Sequence, residues 1–398
     1  MTGLRGQLPT LSTRNHLIWV IPAEEIMKFF YNLLKITVLT SLVVFSLANC
    51  SNDSDEASGN QMSQSCLDDP GLTEFELTDE AKEAVRGESI DLIVYDAFLA
   101  PEGAFERFKD KTGITVNILT SADTGTMVSQ AVLTSGNPVG DVMFGIDNTF
   151  LCRALNNDVF LPYIPSTWEE LSEPLKLDKT GRVTPIDYGD ICLNYWEGHF
   201  EVPPTSIADL TDSSFSSEFV TQNPETSAPG MGFLLSSIAV FGDDWENFWT
   251  ELRANDIAIR SGWSEAYYED FYSGERNIVT SYATSPVAEY IFADPPVDSP
   301  PTAIIADSCF RSVEFTGILR GTDSPAASAL LVDFLTSVYF QELIPETNFV
   351  LPANENAELP EVFNQFLEEI PNAVTISPDL IDAKRNIWTE RWTELVLR

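Results

Sequence analysis

The chain has 398 residues, an ordinary apolar content and a formal charge of -39, with 22 basic residues against 61 acidic ones. Such a surface repels nucleic acid and anionic lipid, attracts cations and keeps the chain soluble. Its two histidines, His16 and His199, leave little room for a histidine-based triad or a zinc enzyme, so no catalytic residue, metal or cofactor is expected.

Residues 1–26 match no targeting pattern and read as a non-native extension ahead of a true start at Met27. Lys28 and Lys35 then lead an apolar stretch, residues 36–48, too short for a comfortable membrane span. It ends in Leu47-Ala48-Asn49-Cys50, so residues 27–49 read as a lipoprotein signal peptide with Cys50 as the lipidated residue and membrane anchor. Residues 50–88 are rich in Ser, Asp, Glu, Asn and Gly and read as an acidic flexible tether, with a short helix near 77–85.

Folding begins near Ser89. The apolar runs predict strands over 90–95, 114–119 and 141–146, with helices over 103–112 and from a turn at 121–127 to about 134. That alternation implies a parallel sheet with right-handed crossovers. Asp96, Asp123 and Asp147 fall at its ligand-facing edge; a lone Asp there is usually a cap or turn residue, and three at one edge shift the reading towards function. A strand over 183–196 leaves this first lobe. Residues 210–242 hold a short strand, a turn at 223–230 and a helix beginning near Gly230. Hydroxyls and free N–H groups at such a helix start make either an anion site or a plain cap. A helix over 245–255 and a strand over 257–260 follow.

Two aromatic segments come next. In Gly262-Trp263-Ser264-Glu265-Ala266-Tyr267 a turn enters a helix, and Trp263 and Tyr267 share one face. In Ser281-Tyr282-Ala283-Thr284-Ser285-Pro286 a buried strand ends. Aromatics mostly fill cores, but Ser281, Thr284 and Ser285 are poor core formers. The cluster therefore suggests a flat, cationic ligand held by stacking and cation–π attraction. An alternating strand over 303–315 returns to the first lobe, an amphipathic helix spans 324–339, residues 348–352 are extended, and a helix over 378–396 carries Trp388 and Trp392.

The expected fold class is thus α/β, two lobes of mixed sheet flanked by helices, with two crossing strands as hinge. Residues 89–187 with 310–398 form the first lobe, part of the C-terminal helices packing on the second, and 188–309 form the second. Four cysteines follow Cys50, and an exported chain permits them to pair. Cys192 and Cys309 sit in the two crossing strands, so Cys192–Cys309 is the expected bond, which leaves Cys66 and Cys152 to tie the tether to the first lobe.

The segments Tyr95-Asp96-Ala97-Phe98, Gly145-Ile146-Asp147-Asn148 and Asp187-Tyr188-Gly189, residues 223–230, the two aromatic segments and residues 348–352 occur in a shared order and spacing. Over nearly the whole chain from Ser89 they resemble the thiamine-binding proteins of bacterial ABC importers, which have the type II periplasmic-binding-protein fold. The resemblance implies a monomeric, exported clamp that closes on thiamine or thiamine phosphate and delivers it to a membrane permease. It implies that Trp263 and Tyr282 pack on the ligand rings and that Asp96, Asp123 and Asp147 line the first-lobe side. Gly125, Thr126, Thr226 and Ser227 would meet a hydroxyl or phosphate tail. Tyr95, Tyr188, Ser285 and Phe349 complete the expected site, and Tyr267 joins it from helix geometry alone. The chain departs from one branch of the family at Phe349, where a Trp is usual, and at Ala288, where a Tyr is usual; Tyr290 is the candidate to compensate. A polyamine is the competing ligand. An enzyme on this fold needs a cleft cysteine, for which Cys152 lacks a histidine partner, so a binding protein is expected.

Overall fold

The computed structural model describes residues 65–398. The expected extension, the signal segment, Cys50 and the head of the tether lie outside the described residues. Residues 65–88 of the expected tether are not flexible chain. Cys66 is buried and bonded to Cys152, Val85 is buried, the Phe75 ring lies 6.5 Å from that of Tyr163, and Asp79–Ala84 is a helix. The buried Arg182 donates from Nη2 to the Cys66 carbonyl at 2.8 Å, and Asp379 accepts from the Cys66 N–H at 2.8 Å and the Ser65 hydroxyl at 2.6 Å. Linker-like composition conceals this docking, because it rests on one disulfide and the two apolar anchors Phe75 and Val85.

Strands β1 (Ser89–Val94), β2 (Thr115–Thr120) and β3 (Val142–Asp147) are parallel, with β1 between the others. Helices Ala104–Thr112 and Thr124–Leu133 connect them, as the alternating pattern predicts. After the short β4 (Phe160–Leu161) come β5 (Thr184–Trp196), β6 (Phe219–Gln222), β7 (Ala258–Arg260), β8 (Ile278–Tyr282), β9 (Thr302–Leu319) and β10 (Leu351–Pro352). The sheet order is β2-β1-β3-β9-β5-β8-β6-β7. Two parallel sets, β2-β1-β3 and β8-β6-β7, therefore flank a central antiparallel pair, β9 and β5.

That pair is the expected crossing. It is 18 and 13 residues long and is antiparallel to β3 on one side and to β8 on the other. The alternation expected over 303–315 does not hold: every residue from Ser312 to Leu319 is buried. Helices Ala228–Phe241 and Pro325–Leu335 both pack on β9, and its polar residues Ser312, Glu314 and Thr316 are buried along with the apolar ones. The helix expected over 324–339 is also two pieces, Pro325–Leu335 and Val338–Gln341. The Thr336 hydroxyl donates back to the Val332 carbonyl at 2.9 Å at the break.

Helix Pro378–Val396 touches both halves. Its Trp392 meets Trp249 of helix Trp245–Ala254 edge-on, with ring centroids 5.6 Å apart. Its Arg385 donates to the Thr149 carbonyl at 2.8 Å and the Pro224 carbonyl at 3.3 Å.

Both expected disulfides form. Cys192 and Cys309 join β5 to β9 with Cα atoms 4.5 Å apart, and Cys66 joins Cys152 across 86 residues of chain with Cα atoms 5.4 Å apart. Replacing Cys66 and Cys152 together by Ser should lower stability by about 2–4 kcal/mol, the usual effect of opening a loop of this size. Urea unfolding checks this, and an unchanged midpoint would show that the bond constrains nothing.

Candidate functional site

The strand ends of both halves meet over β5 and β9 around a cavity of about 290 Å³. From the first half come Tyr95 and Asp96, just past β1, and Asp123, the N-cap of helix Thr124–Leu133. From the second come Trp263, Tyr267, Tyr282 and Ser285. Phe349 closes the side next to β10. Eight of the fourteen expected ligand residues thus share one cavity.

The Trp263 indole is held on one face and at its nitrogen. Its ring stacks on Tyr267 at 4.6 Å and 20°, and its Nε1 donates to the Ser281 hydroxyl at 2.9 Å. The Ser281 and Ser285 hydroxyls lie 2.8 Å apart. The Tyr267 hydroxyl donates to Glu289 Oε1 at 2.7 Å. The turn that presents Trp263 leads into a π-helix, Glu265–Phe271, a wide helix common at functional sites. The serines that argued against a core are the anchors of the indole.

Asp123 links the two halves. Its Oδ1 accepts from the backbone N–H of Thr124 at 2.6 Å and of Ala228 at 3.4 Å, and its Oδ2 accepts from the Trp263 N–H at 2.9 Å. Ala228 opens helix Ala228–Phe241, so a first-half carboxylate occupies the N-terminus where an anionic tail was expected. Two further bonds cross the cleft: Gly125 N–H to the Thr226 carbonyl at 3.0 Å, and the Thr284 hydroxyl to the Phe349 carbonyl at 2.5 Å. Phe349 sits at φ +53, a strained conformation for an aromatic residue that the surrounding bonds must hold.

Six expected residues do not line the cavity. Gly125 is buried in the contact just described, and a Cβ there would meet Phe150 at 2.6 Å and the Glu225 carbonyl at 2.7 Å. Thr126 points to solvent on the next position of its helix. The Thr226 hydroxyl is turned to the Ser261 carbonyl at 2.5 Å, and Ser227 is fully buried at the helix start. Asp147 is buried below the floor, where its Oδ1 accepts from the Thr149 hydroxyl at 3.0 Å and the Phe150 N–H at 3.3 Å. Strand alternation turns Tyr188 to the other face of β5, beside Arg311. Tyr290 does not compensate for Ala288: its ring packs on Phe366 with centroids 4.3 Å apart. Arg260 and Arg311 are paired with Asp270 and Asp190. Cys152 is consumed by its disulfide and offers no thiolate.

Sequence reasoning missed Tyr268, Tyr272, Glu289, Glu314 and Asn348, all of which line the cavity. For Glu314 a signal existed, an acid inside the apolar run Val313-Glu314-Phe315. Asn348 exchanges two bonds of 2.9 Å with the backbone of Leu99, which no local pattern announces.

Burial pushes the carboxyls of Asp123 and Asp147 up to about 6 and that of Asp187 to about 8. An unfolded Asp titrates near ~4, so each group binds its proton more tightly when folded. Their contribution to stability is complete below about pH 4 and is lost as pH rises through the folded values. The melting temperature of the ligand-free protein should therefore fall from pH 5 to pH 8, even in about 0.5 M salt that screens the surface charge. A calorimetric melting temperature that rises over this range would contradict the burial of these acids.

The family model for bacterial extracellular solute-binding proteins matches residues 103–368. The thiamine-binding periplasmic protein of Brucella abortus is 28% identical over 312 residues, covering 77% of this chain and 91% of the relative. That of Escherichia coli is 26% identical over 321 residues, covering 78% of this chain and 94% of the relative. The solved structure of a periplasmic thiamin binding protein superposes with a TM-score of 0.70 at 26% identity, covering 78% of this chain and 96% of that one. With more than half of its length matched by the family model, the chain belongs to the bacterial extracellular solute-binding proteins.

Proposed function

We propose that the chain is an exported carrier that captures thiamine between its two halves and hands it to the membrane permease of an ABC importer. One observation carries this reading. A single cavity of about 290 Å³ combines a stacked indole and phenol with the acids Asp96, Asp123, Glu289 and Glu314, and no Lys or Arg lines it among the described residues. Thiamine is flat, bears a permanently cationic thiazolium and an aminopyrimidine, and suits such a wall. Each good cation–π contact contributes about 0.5–2 kcal/mol, and a charge-assisted bond from the amine to a carboxylate about 1.5–3 kcal/mol.

Thiamine itself is favoured over its phosphates. The helix N-terminus that could hold a phosphate is already filled by Asp123, and acids repel the rest of such a tail. The protein acts by closure without a cofactor or a catalytic group, as a monomer held to the membrane through lipidated Cys50. The names of the similar proteins support the ligand class and the location outside the cytoplasm.

Saturating thiamine should raise the melting temperature, since a ligand at about a thousandfold excess over Kd stabilises by roughly 4 kcal/mol. A flat response to thiamine beside a rise with spermidine would transfer the site to polyamines. Trp263→Ala should weaken thiamine binding more than about tenfold, which is over ~1.4 kcal/mol, with the fold intact by circular dichroism. Unchanged affinity in titration calorimetry would remove Trp263 from the site.

A further inference from the structure

Three carboxylates stand in a row across the floor of the cleft. The register sets Asp147 of β3 opposite Glu314 of β9, and Glu314 opposite Asp187 of β5. Directly opposed residues share one face of a sheet with Cβ atoms roughly 5 Å apart, where like charges repel. The three residues are only 0%, 5% and 1% exposed. Asp147 Oδ2, Glu314 Oε2 and both oxygens of Asp187 are buried without any hydrogen-bond partner. The backbone makes room for this arrangement. Gly145 has φ +92, and a Cβ there would overlap the Tyr95 ring and come within 3.3 Å of Glu314 Oε2. Of the three, Glu314 reaches the cavity.

A buried carboxylate with neither counterion nor donor is strongly disfavoured, so it keeps a proton or acquires a cation. Burial, with Asp187, Asp147 and Asp123 nearby, holds the Glu314 carboxyl well above the ordinary range. The other groups facing it are phenols: Tyr95, just past β1, and Tyr282, at the end of β8. Burial raises both further, so they remain neutral. Arg385 faces Asp147 from the C-terminal helix, and Arg311 is spent on Asp190 at 2.6 Å.

We infer that Glu314, with Asp187 and Asp147 beside it, is the cation receptor of the cleft: protons neutralise Glu314 and Asp187 in the ligand-free protein, and the ligand's positive charge replaces one of them. The inference rests on the proposed capture of thiamine, whose thiazolium keeps its charge at every pH of the assay. In the step, a carboxyl O–H bond breaks, the proton leaves to the buffer, and the carboxylate that remains faces the bound cation. Binding therefore strengthens as pH rises towards the ligand-free value of the group that ionises. At pH 7 Asp123 and Asp147 are already mostly ionised, so the released proton comes from the Glu314–Asp187 pair.

The test is titration calorimetry of thiamine, and separately of spermidine, into the purified protein at pH 7 in phosphate and in Tris, whose ionisation heats differ. For thiamine, the expected heats differ between buffers by an amount that corresponds to release of about half to one proton, and affinity rises several-fold from pH 6 to pH 8. Glu314→Gln should melt no lower than the parent, lose most of the proton release and bind at least about tenfold more weakly, over ~1.4 kcal/mol. Asp187→Asn, which does not line the cavity, should lose proton release with a smaller loss of affinity, and it serves if the Glu314 variant does not fold. Tight thiamine binding with a buffer-independent heat, or with full affinity and proton release in the Glu314 variant, overturns the inference and leaves thiamine capture standing. Spermidine binding with the expected proton release, beside inert thiamine, keeps the row and overturns the ligand. Binding of neither cation overturns both.

Discussion

Everything in the cleft depends on two long strands that belong to both halves at once. β5 and β9 run antiparallel, and each pairs outward with a strand of a different parallel set. A three-stranded parallel set needs its faces covered and its open edge paired. The shared strands pair the inner edges of both sets. They also bring the strand ends of each set over the same patch of floor. The Cys192–Cys309 bond fixes the pair in the stretch next to β8. The cavity is therefore a consequence of topology, and its chemistry is a matter of which side chains sit at five or six chain ends.

Those side chains divide the work by type. Aromatic rings supply the walls, and their polar edges are bonded to second-half serines and Glu289, so the rings keep their positions without a ligand. Acids supply the field. Surface charge is screened within about 10 Å in ordinary salt; the cleft acids Asp123, Glu289 and Glu314 are buried and act at short range. Asp123 has a separate part. Its carboxylate accepts from both halves at once, so the same group that faces the cavity also measures whether the cleft is shut.

The sequence made the first half legible because its strands and helices are short, periodic and consecutive, and the last strand residue of each unit marks the ligand edge. Trp263, Tyr267 and Tyr282 were legible because polar, small neighbours are wrong for a core. Tyr188 was misjudged because position along a strand is readable but the face that points at the cavity is set by the register of its neighbours; Asp147 shares the face of Glu314 but is buried beneath the floor. Gly125, Thr226 and Ser227 failed differently. The Gly125 N–H was taken up by the Thr226 carbonyl of the other half, the Thr226 hydroxyl by the Ser261 carbonyl of its own half, and Ser227 is buried at the helix start. Glu314 was missed although it is an acid in an apolar run, and its meaning comes from Asp147 and Asp187, which lie far from it in the chain and next to it in the sheet.

The docking of residues 65–88 also decides where mechanical load can travel. A pull on the chain ahead of Ser65 arrives first at Cys66, which is fastened covalently to helix Leu151–Leu155 and gripped by Arg182 and Asp379. Force spreads from there into the first half. Asp379 lies in the first turn of the helix that also packs on Trp249, so part of the load reaches the second half. A load on that end is thus shared between helix Leu151–Leu155 and the C-terminal helix, and is not borne by one half alone.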